Sequence, residues 1–505
     1  MKKSIFTLLL ASLTLIASAV TPAGVAGKYS GTLTVAEDAQ AGSIVILPGT
    51  VANAVTLVLP QFDFSGLNLG DIVVINASLN ASGAASISHF PVYISALSER
   101  AYVNIYPIST MSGSSVSLNL GIEVPSLGEG EIPVLFTGSR ASAGNYQMPN
   151  AGFEDGWHAT GKGVEPDNWH SFNSGTGAVI SAAQNNVQLL ESSEKRPGSA
   201  GSKSALIKCK YTNYILTKVK ANGNLTNGQI NAGGTSATDG TRNYNFSDPN
   251  NGGFNTPFTA LPDSFVFWAK YIPADGNVSS SENRARVHTV ITTNAYYKDP
   301  EDGGSYGSVK VAEATLNYPA TSSMGWQRVS VPFIYSSSVN ADNAAYVLVT
   351  FSTNQTAGGG TSNASSVDQV YLDDVEMIYN HNLTNFTLDG NRLTFSNGLA
   401  TSDKPFSDEK YTCAATVDGR RSSAYVGYDA ATNRIVVYTV AEDFAANSTD
   451  YKVYQVQMAQ PEVPGLRDAT VSQAAAQKVM IEGRIYIIRG GAWYDTLGKR
   501  VNPLR

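Results

Sequence analysis

Acidic residues near both ends of the central part of the chain are the side chains with the clearest capacity for chemistry. Glu154 lies near its start, and Asp373 lies in the alternating stretch 371–379 near its end. Because successive side chains on a strand point to opposite faces, we expect Asp373 to share the apolar face of that stretch and to point inward. A buried carboxylate is costly unless it is paired or bound to a metal. The pattern therefore predicts an ion pair, a set of backbone amides or a cation at Asp373.

Aromatic side chains in turn-rich stretches are a second candidate for binding chemistry. Sugar rings stack on exposed aromatic faces, while Asn, Asp and Arg side chains recognise the hydroxyls. Most aromatic residues of a β-protein belong to the core, and we assign Trp268 and Trp326 there because they lie within strand patterns. The predicted ligand-binding residues are those in or beside polar, turn-rich stretches: Tyr244, Phe254, Tyr296 and Tyr297.

Catalytic motifs give a weaker signal than binding motifs. Glycosidases need two carboxylates about 5–9.5 Å apart, and some jelly-roll glycosidases place them on one strand as E-x-D-x-x-E. The nearest match is Asp374-Val375-Glu376, which lacks the leading Glu. The histidines form no HExxH pair. No catalytic residue is assigned, and an enzyme is a less favoured alternative to a non-catalytic protein.

The elements that must position these residues are almost all β-strands. Apolar residues alternate with polar ones in many short segments rich in Val, Thr, Ile and Tyr, which is typical of half-buried strands. A chain of 505 residues is too long for one core, so the prediction is an all-β, multi-domain protein. Its net charge of −7 argues against nucleic acid as a partner.

The first residues have the three-part pattern of a secretory signal. Met1-Lys2-Lys3 precedes an apolar run that ends near Ile16, and the small residues 17–19 follow. The run is shorter than the roughly 20 residues that span a bilayer. Residues 1–19 are therefore predicted to be a signal peptide cleaved after Ala19, and the protein is expected to be secreted, to the outer cell surface or the medium, with no transmembrane segment.

Residues 25–138 have many short strands at regular spacing, which predicts a β-barrel or sandwich. The segments Gly27-Lys28-Tyr29-Ser30-Gly31 and 57–62 (LVLPQF) carry a resemblance to calycin-like (lipocalin-like) barrel domains of secreted Bacteroidetes proteins.

Residues 146–380 contain a longer series of motifs in order: 150–157 (NAGFEDGW), 166–169 (PDNW), 261–265 (LPDSF), 325–329 (GWQRV) and 371–377 (YLDDVEM). Together they resemble a carbohydrate metabolism domain family whose fold is a jelly-roll β-sandwich, like that of carbohydrate-binding modules. This resemblance implies a glycan as the partner. Residues 381–460 look like the small β-sandwich domain that often follows, and residues 470–505 resemble the C-terminal sorting tails of Bacteroidetes surface proteins.

In carbohydrate-binding jelly rolls with these patterns, a structural calcium ion joins the first and last strands. The resemblance implies that Glu154 and Asp373 supply carboxylates here and that backbone oxygens near Asn150 or Gly152 complete the site. Hard oxygen ligands suit calcium. The alternative is that both acids hold backbone amides or an Arg without a metal.

Three functions remain open. The first is a non-catalytic, secreted or cell-surface protein that binds glycans through the jelly roll. The second is a glycoside-processing enzyme of jelly-roll type, and the third is a structural or adhesive surface protein with no sugar ligand. The sequence does not indicate an oligomeric state.

Overall fold

The computed structural model describes residues 19–94, 96–128, 130–141, 145–184, 188–214, 217–304, 306–406, 411–460, 477–481, 484–489, 492–496 and 499–502. All but the last residue of the predicted signal peptide lies outside these ranges, as does part of the predicted sorting tail. The chain divides into two compact units, residues 1–401 with 407–457 and residues 402–406 with 458–505.

The first element of the larger unit is a closed eight-stranded barrel with the strand order β1-β10-β9-β8-β7-β6-β3-β2. A short helix, α1 (Pro22–Val25), precedes the barrel in the chain, and the hairpin of β4 and β5 occurs between the barrel strands β3 and β6. The strands are β1 (Gly27–Val35), β2 (Asp38–Pro48), β3 (Ala54–Leu59), β4 (Asp63–Phe64), β5 (Leu67–Asn68), β6 (Ile72–Leu79), β7 (Ala84–Ile94), β8 (Glu99–Met111), β9 (Ser115–Glu123) and β10 (Glu131–Arg140). A 3-10 turn at Pro125–Leu127 joins β9 to β10.

Side-chain alternation explains the barrel wall. In β10 every second residue is buried, so Ile132, Val134 and Phe136 point inward while their neighbours are exposed. In contrast, all six residues of β3 are buried. Both faces of the wall at β3 must therefore be covered, and the outer cover comes from a later part of the chain.

The second element is a β-sandwich of a five-stranded sheet, β13-β14-β28-β21-β25, and a six-stranded sheet built on the path β17-β27-β22-β24-β26. Its elements begin with β11 (Trp157–Ala159), β12 (Val164–Pro166), α2 (Ile180–Gln184), β13 (Leu189–Ser192), β14 (Ser204–Lys208), β15 (Lys210–Tyr214), β16 (Thr217–Ala221), β17 (Asn224–Thr226), β18 (Gln229–Ala232), β19 (Asn243–Ser247) and β20 (Thr256–Pro257). They continue with β21 (Ser264–Ile272), β22 (Ala285–Thr292), β23 (Tyr297–Asp299), β24 (Lys310–Tyr318), β25 (Gln327–Pro332), β26 (Ile334–Tyr335), β27 (Tyr346–Ser352) and β28 (Gln369–Ile378). Short 3-10 turns occur at Phe172–Ser174 and Ala341–Asn343.

The sandwich core lies between these two sheets. Phe265 and Phe267 of β21 meet Phe351 of β27, with ring centroids 6.0 and 5.0 Å apart. Alternation in each strand therefore leaves the intervening residues on the outer faces. A third, smaller sheet with the order β18-β19-β23 belongs to the same region.

The third element consists of two small sheets. Its strands are β29 (Leu383–Leu388), β30 (Asn391–Arg392), β31 (Leu399–Pro405), β32 (Cys413–Val417), β33 (Ser423–Asp429), β34 (Arg434–Val440) and β35 (Tyr451–Ala459), with a 3-10 turn at Glu442–Ala445. One sheet has the order β30-β29-β32, and β34 pairs with β33 and β35 in the other.

The sheet that contains β33 and β34 packs on the outer wall of the barrel. Tyr425, Val436 and Tyr438 belong to the same apolar cluster as the barrel residues. A Cβ added to Gly427 would lie 2.9 Å from Ile75 Cδ1 and 3.1 Å from Val73 Cγ1, so a glycine permits this close approach. This sheet is the outer cover of β3 and β6.

The smaller unit contains a four-stranded sheet in sequential order: β36 (Gln477–Ile481), β37 (Arg484–Arg489), β38 (Ala492–Tyr494) and β39 (Arg500–Val501). Tyr486 and Trp493 pack edge to face with their ring centroids 6.3 Å apart. Met480 is 68% exposed.

The architecture confirms the prediction of an all-β chain with an N-terminal barrel, a central β-sandwich and a small C-terminal β-sandwich region. Within the described ranges, no helix has both the length and the apolar character that crossing a bilayer requires.

Candidate functional site

The outer face of the six-stranded sheet carries two rows of polar side chains. In the first row, Ser352 of β27 pairs with Asn224 of β17 on one side and with Arg286 of β22 on the other. In the second row, Thr350 lies between Thr226 and His288. Since Val287, Val349 and Phe351 point into the core, alternation places these polar residues outside.

The sheet β18-β19-β23 supplies a second polar surface. Asn245 is the middle residue of β19 and pairs with Ile230 of β18 and Asp299 of β23. Directly opposed residues of antiparallel strands share a face, so these three side chains project together. Asp299 bonds to Arg286 of the six-stranded sheet, which shows that this face is turned toward the polar rows.

A cleft of about 360 Å³ is lined by residues of both surfaces and by residues 172–183, which include part of α2. Asn224, Asn245, Arg286, Thr350 and Ser352 are among its polar lining residues. Its size is within the usual range for small-molecule sites, which are concave and carry a few directed polar groups. This cleft is the candidate functional site.

Several cleft amides are held in place by the protein itself. Asn222 Nδ2 donates to Ser352 Oγ (3.2 Å) and to the Thr356 carbonyl (2.9 Å). Asn243 Nδ2 donates to the Ser236 carbonyl (2.7 Å), and Asn354 Nδ2 donates to Asp368 Oδ2 (2.9 Å). These bonds fix the rim and leave other groups to meet a ligand.

Three other lining residues carry polar atoms that have no partner in the described part of the chain. Asn224 Oδ1, Asn245 Oδ1 and Thr350 Oγ1 are buried and make no hydrogen bond. Asn245 is 5% exposed and Thr350 is 3% exposed. A buried polar group without a partner costs roughly 1–3 kcal/mol, so these atoms are suited to a ligand that completes their hydrogen bonds.

The Asp299 carboxylate in the cleft is paired with two basic side chains. Arg286 makes a two-point contact with Asp299, at 3.1 and 3.3 Å, and His288 Nδ1 lies 2.9 Å from Asp299 Oδ1. Burial opposes ionisation of Asp299, but the charges of His288 and Arg286 hold its pKa well below the usual range. Burial also opposes the charged form of His288, yet the Asp299 carboxylate raises the His288 pKa above its usual value.

Part of the cleft lining is apolar. Phe172, Val179, Ala183 and Ile230 contribute to it. The Val179 amide donates to the Ala232 carbonyl (2.9 Å), which ties this segment to the edge of β18. The cleft therefore combines polar and apolar lining residues.

Two of the four predicted ligand-binding aromatics lie together on the other face of β18-β19-β23. Tyr244 pairs its ring with Phe246 (centroids 5.8 Å apart), and Phe246 packs against Tyr296 (5.7 Å). Tyr296 is 40% exposed, and the Lys298 Nζ lies 4.3 Å above the Tyr244 ring. We call Tyr244, Phe246 and Tyr296 the aromatic patch; Tyr244 also borders the cleft.

The other two predicted aromatics are placed differently. Tyr297 is fully buried and packs in a small cluster with Val290 and Leu348. Its ring cannot meet a ligand at the surface, because alternation turns it inward beside the half-exposed neighbour at 296. Phe254 is half-buried and packs against the His170 ring, with centroids 4.5 Å apart.

The predicted inward orientation of Asp373 on the apolar face is wrong. Val370 and Leu372 point into the core before this residue, and Val375 and Met377 do so after it. A bulge interrupts the register of β28 with β21 between these pairs, and Asp374 has a positive φ of 43°. Asp373 therefore lies on the outer face of the sheet, where it is nevertheless fully buried.

Arg196 contacts both Asp373 and Asp374. Its backbone N–H donates to Asp373 Oδ2 (3.1 Å), and its side chain forms an ion pair with Asp374. The guanidinium lies 5.0 Å from the Trp268 ring centroid. Asp373 Oδ1 is buried and has no hydrogen-bond partner, and burial raises the pKa of Asp373 to about 6.

The other predicted calcium ligands also have protein contacts. Glu154 Oε1 accepts the backbone N–H groups of Ser202 and Lys203, both at 2.6 Å. Burial opposes ionisation of Glu154, but these amides hold its pKa below the usual range. Asn150 Oδ1 accepts the Asp155 N–H (2.9 Å), and a Cβ on Gly152 would lie 3.2 Å from Asp374 Oδ1.

These contacts correspond to the alternative in which amides and an Arg hold the acids. Asp373 Oδ1 is buried and is the atom of Asp373 that has no hydrogen-bond partner in the described residues. Within the described residues, no group of three or more His, Cys, Asp or Glu side chains is arranged to hold a metal. Calcium at this junction stays a prediction.

The assignment of Trp268 and Trp326 to the core is also wrong. Both are half-buried on the outer face of the five-stranded sheet, where Tyr371 packs against Trp326 with ring centroids 6.2 Å apart. The register pairs Trp268 with Asp373. The pattern identifies the strand but does not choose which of its two faces meets the core.

The sequence matches no protein-family model and no curated protein. Among solved structures, similarity is found to a CBM28 carbohydrate-binding module specific for non-crystalline cellulose, at 11% identity and a TM-score of 0.20, over 38% of this chain and 79% of that one. Another similar structure concerns promiscuous carbohydrate-binding modules of the β-sandwich superfamily, at 10% identity and a TM-score of 0.22, over 70% of this chain and 99% of that one.

Proposed function

We propose that this chain is a secreted or cell-surface protein that binds glycans, without catalysis, in the cleft of its central β-sandwich. The observation that carries the proposal is the set of unpartnered atoms Asn224 Oδ1, Asn245 Oδ1 and Thr350 Oγ1 on residues that line the cleft. Buried polar groups are almost always hydrogen-bonded. Sugars offer several hydroxyls on one small ring and can donate to all three.

The charges of the cleft favour binding over hydrolysis. Among its described lining residues, Asp299 is the one carboxylate, and Arg286 and His288 already hold it. A glycosidase needs two carboxylates about 5–9.5 Å apart, one of which must give or take a proton. An acid whose pKa is held far below neutrality does not act as a proton donor.

The aromatic patch offers a second surface for a sugar. Tyr244 borders the cleft, while Phe246 and Tyr296 lie on the face of the sheet that points away from it. Sugar rings stack on such faces because both surfaces are flat and apolar. A sugar can therefore stack on this patch independently of the one that occupies the cleft.

The test is a glycan array probed with the full chain, followed by calorimetric titration of the strongest ligand. Thr350→Val removes one unpartnered hydroxyl with little change in shape, and Thr315→Val changes an exposed residue of the same sheet as the matched control. We expect T350V to weaken binding about tenfold, equal to roughly 1.4 kcal/mol, and T315V to bind normally. Equal binding by both variants, or no glycan bound at all, would contradict the proposal. Release of shorter sugars would favour the glycoside-processing alternative.

A further inference from the structure

The cleft also indicates which class of sugar it takes. Ile230 of β18 is the direct cross-strand partner of Asn245 of β19. Directly opposed side chains have Cβ atoms about 4.5–5.5 Å apart. An apolar side chain and an unpartnered hydrogen-bond acceptor therefore lie side by side on the surface that faces the cleft.

The apolar part of this arrangement is larger than Ile230 alone. Residues 176–179 run along the edge of β18, because the Thr176 amide donates to the Ile230 carbonyl (2.7 Å) and the Val179 amide donates to the Ala232 carbonyl (2.9 Å). Val179 and Ala183 line the cleft together with Ile230. They form an apolar recess next to the Asn245 amide.

A plain hydroxyl would satisfy Asn245 Oδ1 but would leave the recess without a matching group. An acetamido group matches both, since its N–H is a donor and its methyl lies on the same small planar unit. Burial of the methyl group in the recess favours the acetylated sugar. Both sugars can donate to Asn245 Oδ1, so the methyl contact is the one that discriminates between them.

We infer that the cleft selects an N-acetylated sugar, with the acetamido N–H donating to Asn245 Oδ1 and the methyl packed against Ile230, Val179 and Ala183. This inference rests on the proposed glycan-binding function and deepens it. The charge balance agrees, since the Arg286–Asp299 pair leaves no free carboxylate among the described lining residues to attract a cationic amino sugar.

The decisive probes are N,N'-diacetylchitobiose and cellobiose, which differ at C2 by an acetamido group or a hydroxyl. Each is titrated into the full chain by calorimetry, and array hits are sorted by whether they contain an N-acetyl group. We expect array hits confined to N-acetylated sugars and severalfold tighter binding of the acetylated disaccharide. Val179→Ser should remove most of that preference, whereas Val164→Ser, at an exposed position of β12 outside the cleft lining, should preserve it.

The outcomes separate the two proposals. Binding of sugars without N-acetyl groups, or equal affinity for the two disaccharides, overturns this inference and leaves the glycan-binding function standing. A preference that V179S leaves intact also overturns it, because the recess would not be the cause. An array with no bound glycan overturns the proposed function itself. Since Val179 is half-buried rather than fully buried, the variant is expected to fold, and its circular dichroism spectrum verifies this.

Discussion

Tyr438 donates its hydroxyl to the carbonyl oxygen of Pro48 at 3.0 Å, across a separation of 390 residues in the chain. The same hydroxyl accepts a hydrogen bond from Thr56 at 3.1 Å. Thr56 is fully buried on the outer side of β3. A single tyrosine thus joins the sheet of β33–β35 to the barrel wall by two buried hydrogen bonds.

Replacement of Tyr438 by Phe should destabilise the larger unit. The change leaves the Pro48 carbonyl and the Thr56 hydroxyl without their partner, and a buried unpaired group costs about 1–3 kcal/mol. Urea unfolding followed by tyrosine and tryptophan fluorescence measures the loss. Tyr102→Phe, a half-buried position on the barrel, is the control. Equal stabilities for Y438F and Y102F would mean that the contact does not contribute to folding.

The stability of the chain should fall as the pH rises from 5 to 8, in part because of Asp443. Burial and a hydrogen bond with Asp450 raise the pKa of Asp443 to about 7, against about 3.9 for an unfolded chain. Over this interval the folded protein binds more protons than the unfolded one, so the stabilisation is present at low pH and lost as the pH rises through about 7.

Asp443→Asn should make the unfolding free energy less sensitive to pH, by roughly 1–3 kcal/mol between the two conditions. Denaturant unfolding at pH 5 and pH 8 gives this difference directly. Glu37→Gln, at an exposed acid of the barrel, should keep the slope of the original chain. If the unfolding free energy of D443N depends on pH as strongly as that of the original chain, the effect comes from another group.

Cleft variants should separate binding from stability. Thr350 Oγ1 and Asn245 Oδ1 make no hydrogen bond in the described residues, so removing these atoms takes nothing from the free protein. Replacing an unpaired buried polar group by an apolar group of similar shape is nearly neutral or stabilising. We expect T350V to unfold at an equal or higher temperature while its affinity for glycan falls. A clear loss of thermal stability would indicate a structural role for the hydroxyl instead.

The calcium prediction can be tested at the junction of Glu154 and Asp373. If calcium binds, it should raise the unfolding temperature of metal-stripped protein, because a ligand of the folded state stabilises it by mass action. The shift should be larger at pH 7.5 than at pH 5, since the pKa of Asp373 is raised to about 6 and protonation removes a ligand. Asp373→Asn should abolish the shift, and Asp38→Asn should not. A calorimetric titration without heat would refute the prediction.

Alternation in the sequence predicted the strands but not the faces that matter most. The stretches 287–292 and 346–351 form strands, as their content of Val, Thr, Ile and Tyr predicts. The polar positions in and beside them, Arg286, Thr350 and Ser352, were the available signal for the cleft. Polar residues are normal on any outer strand face, so these positions do not stand out in the sequence.

Two features lay beyond pattern reasoning. The bulge in β28 inserts one residue, so that the residues after it face the opposite side from the one that simple alternation predicts. The alternating pattern in the sequence does not reveal where such a residue is inserted. The sheet β18-β19-β23 covers the polar rows through pairings of distant segments, for example Asn245 with Asp299. Register between such segments is set by tertiary contacts, so the sequence predicted the aromatic residues near the site but not the walls of the cleft.

The barrel wall at β3 and β6 is buried on both faces, and the strands that cover its outer face are synthesised much later than the wall itself. During synthesis the strands of the barrel emerge first, yet Val73 and Ile75 of β6 keep an uncovered apolar surface until the strand around Gly427 has been made. This apolar surface therefore stays exposed in the nascent chain while the central sandwich is being synthesised. Chains that stop short of residue 423 should consequently be prone to aggregation, because they lack the strands β33 and β34 that cover this part of the barrel wall.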